Sequence, residues 1–238
     1  MKFFLLSLWC AATVISHAQD AATLPKALIP APRPEPAQLQ RHESFNEISK
    51  LGEAQLVFLG DSITQGWGGA GKEVWAKTWE LMKPANFGIG GDRTEHVLWR
   101  LDNGNYDGLK PKLTVLMIGT NNTGARMDPA TDTVAGVEAI VEKLRAKQPQ
   151  MKVLVLGVFP RGEKADDEKR VRTGEINALL PKLADGKNVL FMDIGATFLQ
   201  PDGSLSKEIM PDFLHLSPKG YQLWAAAIKP EVKKLMAN

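Results

Sequence analysis

Cysteine is almost absent from this 238-residue sequence. The single one, Cys10, lies in the apolar stretch FFLLSLWCAATVI, directly after the bulky Trp9, which disfavours a lipid-attached cysteine. Once this stretch is removed, the chain has no thiol for disulfide bonds or cysteine–metal sites. The stability of the domain therefore has to come from its apolar core.

An excess of one charge is also lacking. The 29 Lys and Arg residues are nearly balanced by 27 Asp and Glu residues, which leaves a formal charge of +2. No dense basic face and no interleaving of basic and aromatic residues is visible, so nucleic acid is excluded as a favoured partner. The run RGEKADDEKRVR mixes both signs and indicates a solvated loop that leads into a helix.

The apolar N-terminal stretch is too short to span a bilayer comfortably. It follows the positive charge of Lys2 and precedes Ser16-His17-Ala18, a small-x-small cleavage site. We therefore expect a signal peptide over residues 1–18, cleaved after Ala18, and a secreted or periplasmic protein. No integral membrane segment is expected after signal removal.

The next 22 residues, 19–40, carry five prolines and little periodicity. This composition predicts an extended arm or linker, partly in the polyproline II conformation. We expect the folded domain over residues 41–238.

The rest of the chain alternates between apolar runs and amphipathic stretches. Short runs bounded by glycine are typical of strands buried on both faces. Five are found: QLVFLG (55–60), ANFGIGG (85–91), LTVLMIG (113–119), KVLVLGV (152–158) and NVLFMDIG (188–195). The alternation predicts an α/β fold with a mostly parallel, five-stranded sheet and helices on both faces. Functional residues should gather at the carboxyl ends of the strands.

Two glycine-rich segments resemble nucleotide sites but fail in detail. Gly66-x-x-x-x-Gly71-Lys72 follows the spacing of a phosphate-binding loop, yet Glu73 stands where a Ser or Thr should hold magnesium. In GIGGDR, Arg93 stands where a dinucleotide fingerprint needs its third glycine. We interpret both segments as structural loops. For the tryptophan in the first of them, Trp67, core packing and a place at the edge of a pocket both remain open.

Ser62 follows the first strong strand in the segment Gly60-Asp61-Ser62. A serine there would expose its hydroxyl at the carboxyl edge of the sheet. The G-x-S-x-G elbow is not met, because Thr64 replaces the last glycine. Alone, this segment is more typical of a turn or a helix cap, so Ser62 needs partners.

A nucleophilic serine needs a general base, usually a histidine oriented by a carboxylate. After signal removal three histidines remain, and His42 lies in the early extension. His96 is expected on the exposed first turn of a helix. His215 lies in MPDFLHLSPKG, three residues after Asp212 and just before a final helix with Ser217 as N-cap. We therefore favour His215 and Asp212.

The developing oxyanion needs donors as well. Gly91 in NFGIGGDRT can offer its backbone amide, and Asn121 in VLMIGTNN its side-chain amide. Each is ordinary by itself, since glycine suits a tight turn and asparagine a loop. Their complementary roles after successive strands favour a catalytic site.

Taken together, GDSIT, NFGIGGD, GTNN and DFLH resemble the SGNH hydrolases, also called GDSL-type esterases and lipases. Within that family, NFGIGGDRTEHVLWRL and LGVFPRGEK are similar to the α subunits of intracellular platelet-activating-factor acetylhydrolases. The resemblance implies a flavodoxin-like three-layer α/β/α domain and metal-free, cofactor-free ester hydrolysis. It implies Ser62 as nucleophile, His215 as base and Asp212 as its orienter. The oxyanion donors would be the amides of Ser62 and Gly91 and the side chain of Asn121.

The export signal departs from the intracellular acetylhydrolases, which leaves the substrate open. We expect a short-chain, acetyl-type ester of a glycan or small molecule. The alternatives are a lysophospholipase, an acetylhydrolase-like phospholipid esterase or a thioesterase, and a non-catalytic glycan-binding module on a hydrolase scaffold. A homodimer is suggested by the resemblance alone.

Overall fold

A computed structural model of the chain describes residues 24–237. The signal peptide expected over residues 1–18 and the first part of the proline-rich segment lie outside the described residues. The strands are β1 (Leu56–Gly60), β2 (Pro84–Gly88), β3 (Leu113–Met117), β4 (Lys152–Leu156) and β5 (Val189–Met192). The α-helices are α1 (Pro36–Leu51), α2 (Ser62–Gln65), α3 (Lys72–Trp79), α4 (Thr94–Asp102), α5 (Ala130–Lys147), α6 (Glu168–Leu179) and α7 (Pro218–Ala237). None of the helices within 24–237 is both long and apolar enough to cross a membrane.

The five strands form one sheet in the order β2-β1-β3-β4-β5, and all neighbouring pairs are parallel. This is the order of a flavodoxin-like sheet, in which the direction of winding reverses beside the first strand. The predicted parallel sheet is confirmed. Because β1 lies between β2 and β3, the segments that follow these three strands meet at one edge of the sheet.

Successive residues of each strand point to opposite faces of the sheet, where their apolar side chains pack into two separate layers. In β1, Val57 and Leu59 pack with residues from α1, α4, α5 and α6 on one face. Leu56 and Phe58 pack with residues from α3 and α7 on the other face. All of β1 is buried, which explains why its sequence is continuously apolar. The predicted three-layer α/β/α architecture is confirmed.

The proline-rich segment, expected over residues 19–40 as an extended arm or linker, is partly helical and partly in contact with the domain. Helix α1 begins at Pro36, inside the segment assigned to a linker, because the fixed φ of proline suits the first position of a helix. Upstream of it, Ala27 is only 1% exposed. The backbone amide of Ala31 donates to the carbonyl of Glu95 at 3.2 Å. Residues 24–35 are therefore packed on the domain.

The glycine-rich loop 66–71 serves packing. Trp67 is fully buried, so packing is the correct interpretation of this side chain. A Cβ added at Gly66 would lie 2.0 Å from the hydroxyl of Tyr221, and one at Gly71 would lie 2.8 Å from the Trp67 ring. The glycines let α7 and Trp67 approach the backbone closely, in agreement with the rejection of a phosphate-binding loop.

Candidate active site

Ser62 is the first residue of α2, at the carboxyl end of β1. Gly60 has no room for a side chain, because a Cβ there would lie 2.3 Å from the Met117 carbonyl oxygen and 2.3 Å from the Thr64 hydroxyl. The side chain of Asp61 accepts a hydrogen bond from the Ile63 amide at 2.9 Å and caps the helix. The serine is thus held at the amino-terminal end of a helix, where it is partly exposed.

His215 lies in the loop that leads into α7, and Asp212 fixes this loop. One carboxylate oxygen of Asp212 accepts hydrogen bonds from the backbone amides of Leu214 at 3.1 Å and His215 at 2.7 Å. Its other oxygen lies 2.7 Å from Nδ1 of His215. Nε2 of the same ring lies 2.9 Å from Oγ of Ser62. The structure thus joins Ser62, His215 and Asp212 in one hydrogen-bonded chain.

The loop is also attached to the rest of the fold. Phe213, between the aspartate and the histidine, has a positive φ of 56°, and its carbonyl accepts a hydrogen bond from the Gly162 amide at 2.8 Å. Ser217 donates through its hydroxyl to the Glu208 carbonyl at 2.6 Å and accepts from the Gly220 amide at 3.2 Å. Ser217 therefore caps α7 as predicted.

The two aspartates near Ser62 differ in their electrostatics. Partial burial alone would raise the pKa of Asp212, but hydrogen bonds from the side chain and backbone of His215 lower it below its usual value. Asp212 is thus an anion that can balance a protonated His215. Burial instead raises the pKa of Asp61 to about 7, against the hydrogen bond from Ile63. Asp61 therefore serves as a structural cap.

The segments after β2 and β3 bring the two predicted oxyanion donors to the same edge. Gly91 has φ of 78°, a left-handed conformation that favours glycine. Within residues 24–237, its amide donates to no other protein group. The Asn121 side chain donates to the carbonyl of Asp92 at 2.9 Å, which leaves its second amide hydrogen for a ligand.

Two contacts connect the segment after β2, which carries Gly91, to the region of Ser62. The Gly90 amide donates to Oε1 of Gln65, on the helix that starts with Ser62, at 2.7 Å. A Cβ built on Gly90 would lie 3.8 Å from Cβ of Ser62. The predicted residues Ser62, Gly91, Asn121, Asp212 and His215 thus all lie at the carboxyl edge of the sheet.

Several residues around the site were not identified from the sequence. Gln65 could have been noticed, since it lies one helical turn after Ser62. Asp92 is fully buried, and one of its carboxylate oxygens lies 3.0 Å from Nε of Arg100. Arg33 donates to the Gly90 carbonyl at 3.0 Å from the proline-rich segment. No local sequence pattern indicates a role for Arg33 or Asp92, because their contacts are formed only in the tertiary structure.

The two other histidines within residues 24–237 are structural. His96 was expected on the surface but is only 8% exposed. Its Nδ1 accepts a hydrogen bond from the Arg93 amide at 3.0 Å, so the side chain folds back over the start of α4. Burial lowers the pKa of His96 to about 4, and the ring is neutral. His42 is also buried, between Asn46 and Asn105. Among the described residues, no group of three or more His, Cys, Asp or Glu side chains is arranged to hold a metal ion.

Comparison with known proteins identifies the family of the chain. The model of the GDSL-like lipase/acylhydrolase family matches residues 58–223. The α2 subunit of human platelet-activating factor acetylhydrolase IB is 41% identical over 187 residues, which cover 77% of this chain and 78% of that protein. The human α1 subunit is 36% identical over 218 residues, with coverages of 88% and 92%.

A solved structure of a GDSL-like lipase from Bacteroides thetaiotaomicron shares the fold. Its TM-score is 0.67 at 23% identity, and the match covers 84% of this chain and 99% of that one. The family match extends over most of the chain and contains Ser62, Gly91, Asn121, Asp212 and His215. The chain therefore belongs to the GDSL-like lipase/acylhydrolase family and is a carboxylic ester hydrolase.

Proposed function

We propose that this protein is a secreted or periplasmic serine esterase that removes short acyl groups, especially acetyl groups, from glycan or small-molecule esters. The observation that carries the proposal is the chain of hydrogen bonds from Asp212 through His215 to Ser62, at 2.7 and 2.9 Å. A serine, a histidine and a carboxylate in this arrangement are the groups that acyl transfer needs.

In this proposal each side chain has a role that its contacts support. With Asp212 accepting the Nδ1 proton, Nε2 of His215 is left as the base that takes the proton of Ser62. Ser62 Oγ attacks the ester carbonyl, and the amides of Ser62 and Gly91 with the side chain of Asn121 hold the oxyanion. His215 then returns the proton to the leaving alcohol, which gives an acyl-enzyme on Ser62.

Water resolves the acyl-enzyme in the second half of the reaction. His215 takes a proton from this water, the hydroxide adds to the acyl carbonyl, and the same oxyanion donors stabilise the second tetrahedral intermediate. Collapse breaks the bond to Ser62 Oγ, which recovers the proton from His215. The free acid leaves and the serine is regenerated.

The exposure of the triad supports an open site for the alcohol part of the ester. The side chain of His215 is 46% exposed and that of Asp212 is 55% exposed. A polymer chain can therefore approach the serine without passing through a tunnel. A solved acetylxylan esterase from Geobacillus stearothermophilus shares the fold, with a TM-score of 0.60 at 19% identity.

A second candidate is hydrolysis of phospholipid esters. The acetylhydrolase IB relatives are named for platelet-activating factor, and their identity to this chain is the observation that favours it. The two candidates differ in the alcohol part of the ester, and a lysophospholipase would differ in acyl length as well. Because those relatives are named as subunits, we also propose a homodimer, which sedimentation velocity would measure.

The test of catalysis is replacement of the nucleophile. Ser62→Ala should lower the rate on p-nitrophenyl acetate by roughly 10³-fold or more, because removal of a triad nucleophile leaves only binding and the oxyanion hole. It should also abolish labelling by a fluorophosphonate, while the melting temperature stays near that of wild type. Ser44→Ala, at an exposed serine on α1, is the control. Undiminished turnover in Ser62→Ala would contradict the proposal.

A substrate panel separates the two candidates. We expect the highest kcat/KM for acetyl esters, a fall with acyl length, and preference for acetylated oligosaccharides over acetylated phospholipids. The reverse order for the alcohols would favour the phospholipid candidate.

Export is tested separately. Mass spectrometry of the protein from an exporting host should find an N-terminus directly after Ala18, and an intact N-terminus would contradict export.

A further inference from the structure

The loop that carries Gly91 is in contact with a residue from the proline-rich segment. We define the oxyanion loop as residues 89–93, which follow β2. Nη1 of Arg33 donates to the carbonyl of Gly90 at 3.0 Å and lies 3.8 Å from the carboxylate of Asp92. A Cβ placed on Gly91 would lie 2.5 Å from the same nitrogen. The guanidinium thus covers the side of Gly91 where other residues carry a side chain.

Arg33 is itself held in place. Its Nε and Nη2 donate to the two carboxylate oxygens of Glu35, both at 2.9 Å. Such a bidentate pair fixes the plane of a guanidinium. The Arg33 side chain is only 15% exposed. Its third contact, to Gly90, is therefore made by a group with little freedom to move.

The segment before Arg33 is anchored independently of this side chain. The hydroxyl of Thr94 donates to the Ala27 carbonyl at 2.9 Å, and Ala27 is buried against α5. The Ala31 amide donates to the Glu95 carbonyl at 3.2 Å. Removing the Arg33 side chain should therefore leave the segment docked and remove only its contact with the oxyanion loop.

The loop needs such support because two consecutive glycines form its centre. Glycine has more accessible backbone conformations than any other residue, and Gly91 is already in the left-handed region. An oxyanion donor stabilises the transition state only when it is held at the required position before the reaction. The Gly90 amide is fixed by Gln65, but its carbonyl, on the peptide that carries the Gly91 amide, has its donor in Arg33.

From these contacts we propose that Arg33 is a positioning residue, which fixes the Gly90–Gly91 peptide so that the Gly91 amide points at the oxyanion. The inference rests on the proposed esterase function. It concerns the transition state and not substrate binding, so it predicts a loss in kcat with little change in KM.

The test compares Arg33→Met with Arg145→Met and Arg33→Lys, on p-nitrophenyl acetate. Arg145 also donates to backbone carbonyls, those of Gln148 at 3.4 Å and Pro149 at 2.5 Å, but at the amino-terminal edge of the sheet. Arg33→Met should lower kcat by roughly ten- to a hundredfold, as expected for a displaced oxyanion donor, with KM within about twofold. Arg33→Lys should regain part of kcat, since an ammonium can still donate to Gly90. Arg145→Met should lower the melting temperature and leave kcat unchanged.

The rate of fluorophosphonate labelling gives a second readout, because its adduct places an oxygen where the oxyanion forms. This rate should fall with kcat in Arg33→Met. Two results would overturn the role of Arg33: a kcat equal to that of Arg145→Met, or a loss found only in KM. Failure of the esterase proposal is seen separately, as a wild-type protein that neither turns over esters nor reacts at Ser62.

Discussion

At the scale of single residues, Asp61 has an unusual environment near the site. It is fully buried beside Ser62, and burial raises its pKa from 3.8 to about 7. One of its oxygens accepts the capping hydrogen bond from Ile63, while the other has no partner within the described residues. An ionised carboxylate in this position would be poorly solvated.

The shifted pKa predicts how Asp61 affects stability. Between about pH 4 and pH 7 the folded protein keeps a proton on Asp61 that the unfolded chain releases. The stability that the protonated Asp61 contributes is therefore fully present below about pH 4, the unfolded pKa, and is lost as the pH rises through about 7, the folded pKa. Within this window the free energy of unfolding should fall by at most about 1.4 kcal/mol per pH unit. Asp61→Asn keeps a cap acceptor and removes the titration, so its advantage over wild type should grow across this window.

Urea unfolding at pH 5 and pH 7.5 measures this difference. Asp185→Asn is the control, since hydrogen bonds from Val189 and neighbouring amides lower the pKa of Asp185 and its titration lies below the window. The free-energy difference between Asp185→Asn and wild type should be the same at both pH values. A difference for Asp61→Asn that is also independent of pH would show that the carboxylate is ionised throughout.

The sequence could locate residues that act through local patterns. Ser62, Gly91, Asn121 and His215 each follow an apolar strand or precede a helix with a recognisable cap. Arg33 could not be found in this way, because its contact with Gly90 spans 57 positions along the chain. The prediction that His96 is exposed is wrong for a related reason. The proline-rich segment contacts the first turn of α4, where the Ala31 amide donates to the Glu95 carbonyl.

At the scale of elements, α5 carries a glycine in its interior. Gly136 is buried, and a Cβ added there would lie 2.5 Å from the Thr94 hydroxyl and 2.8 Å from the Ala27 carbonyl. Glycine normally weakens a helix by roughly 1 kcal/mol relative to alanine. Its presence in α5 lets α4 and the proline-rich segment approach the helix backbone.

A pair of alanine substitutions tests this interpretation. Gly136→Ala should destabilise the protein by roughly 1–3 kcal/mol, because overpacking outweighs the gain in helix propensity. Gly174→Ala, in α6, should stabilise it by roughly 0.5–1 kcal/mol, since within residues 24–237 no atom beyond the adjacent helix backbone lies within 4 Å of the added Cβ. Chemical denaturation measures the free energy of unfolding of both variants. Stabilisation by Gly136→Ala would mean that the proline-rich segment moves away from the added Cβ at little cost.

The position of the first helix shows where element prediction fails. Proline predicts an extended linker when it recurs, yet the same residue suits the first turn of a helix, and Pro36 occupies that position. The charged run RGEKADDEKRVR forms the predicted loop leading into α6, but it is not solvated throughout, because Arg170 is buried and donates to the carbonyls of Arg161 and Gly203. Composition alone does not show whether a segment docks on the domain, as residues 24–35 do.

At the scale of the whole molecule, the sheet divides the apolar core into two layers. The sequence predicted a parallel sheet because its strands are continuously apolar. It could not predict the strand order or the distribution of helices over the two faces, since both depend on long-range pairing. The alternation of strands and helices already predicts helices on both faces, and the family resemblance adds the flavodoxin-like topology.

This division predicts that the two layers contribute independently to stability. Ile140 on α5 and Ile228 on α7 are both fully buried, on opposite faces of the sheet, and belong to separate apolar clusters. Each change to alanine should cost roughly 2–5 kcal/mol, because it leaves a cavity in a packed layer. The two costs should add within about 0.5 kcal/mol in the double variant, since the side chains share no contact.

Val171→Ala, at a 49% exposed position on α6, is the control and should stay within about 0.5 kcal/mol of wild type. Guanidinium unfolding of the four variants, followed by tryptophan fluorescence and circular dichroism, measures these values. A coupling above about 1 kcal/mol would mean that the sheet transmits strain between its faces, because packed interiors yield little to local changes.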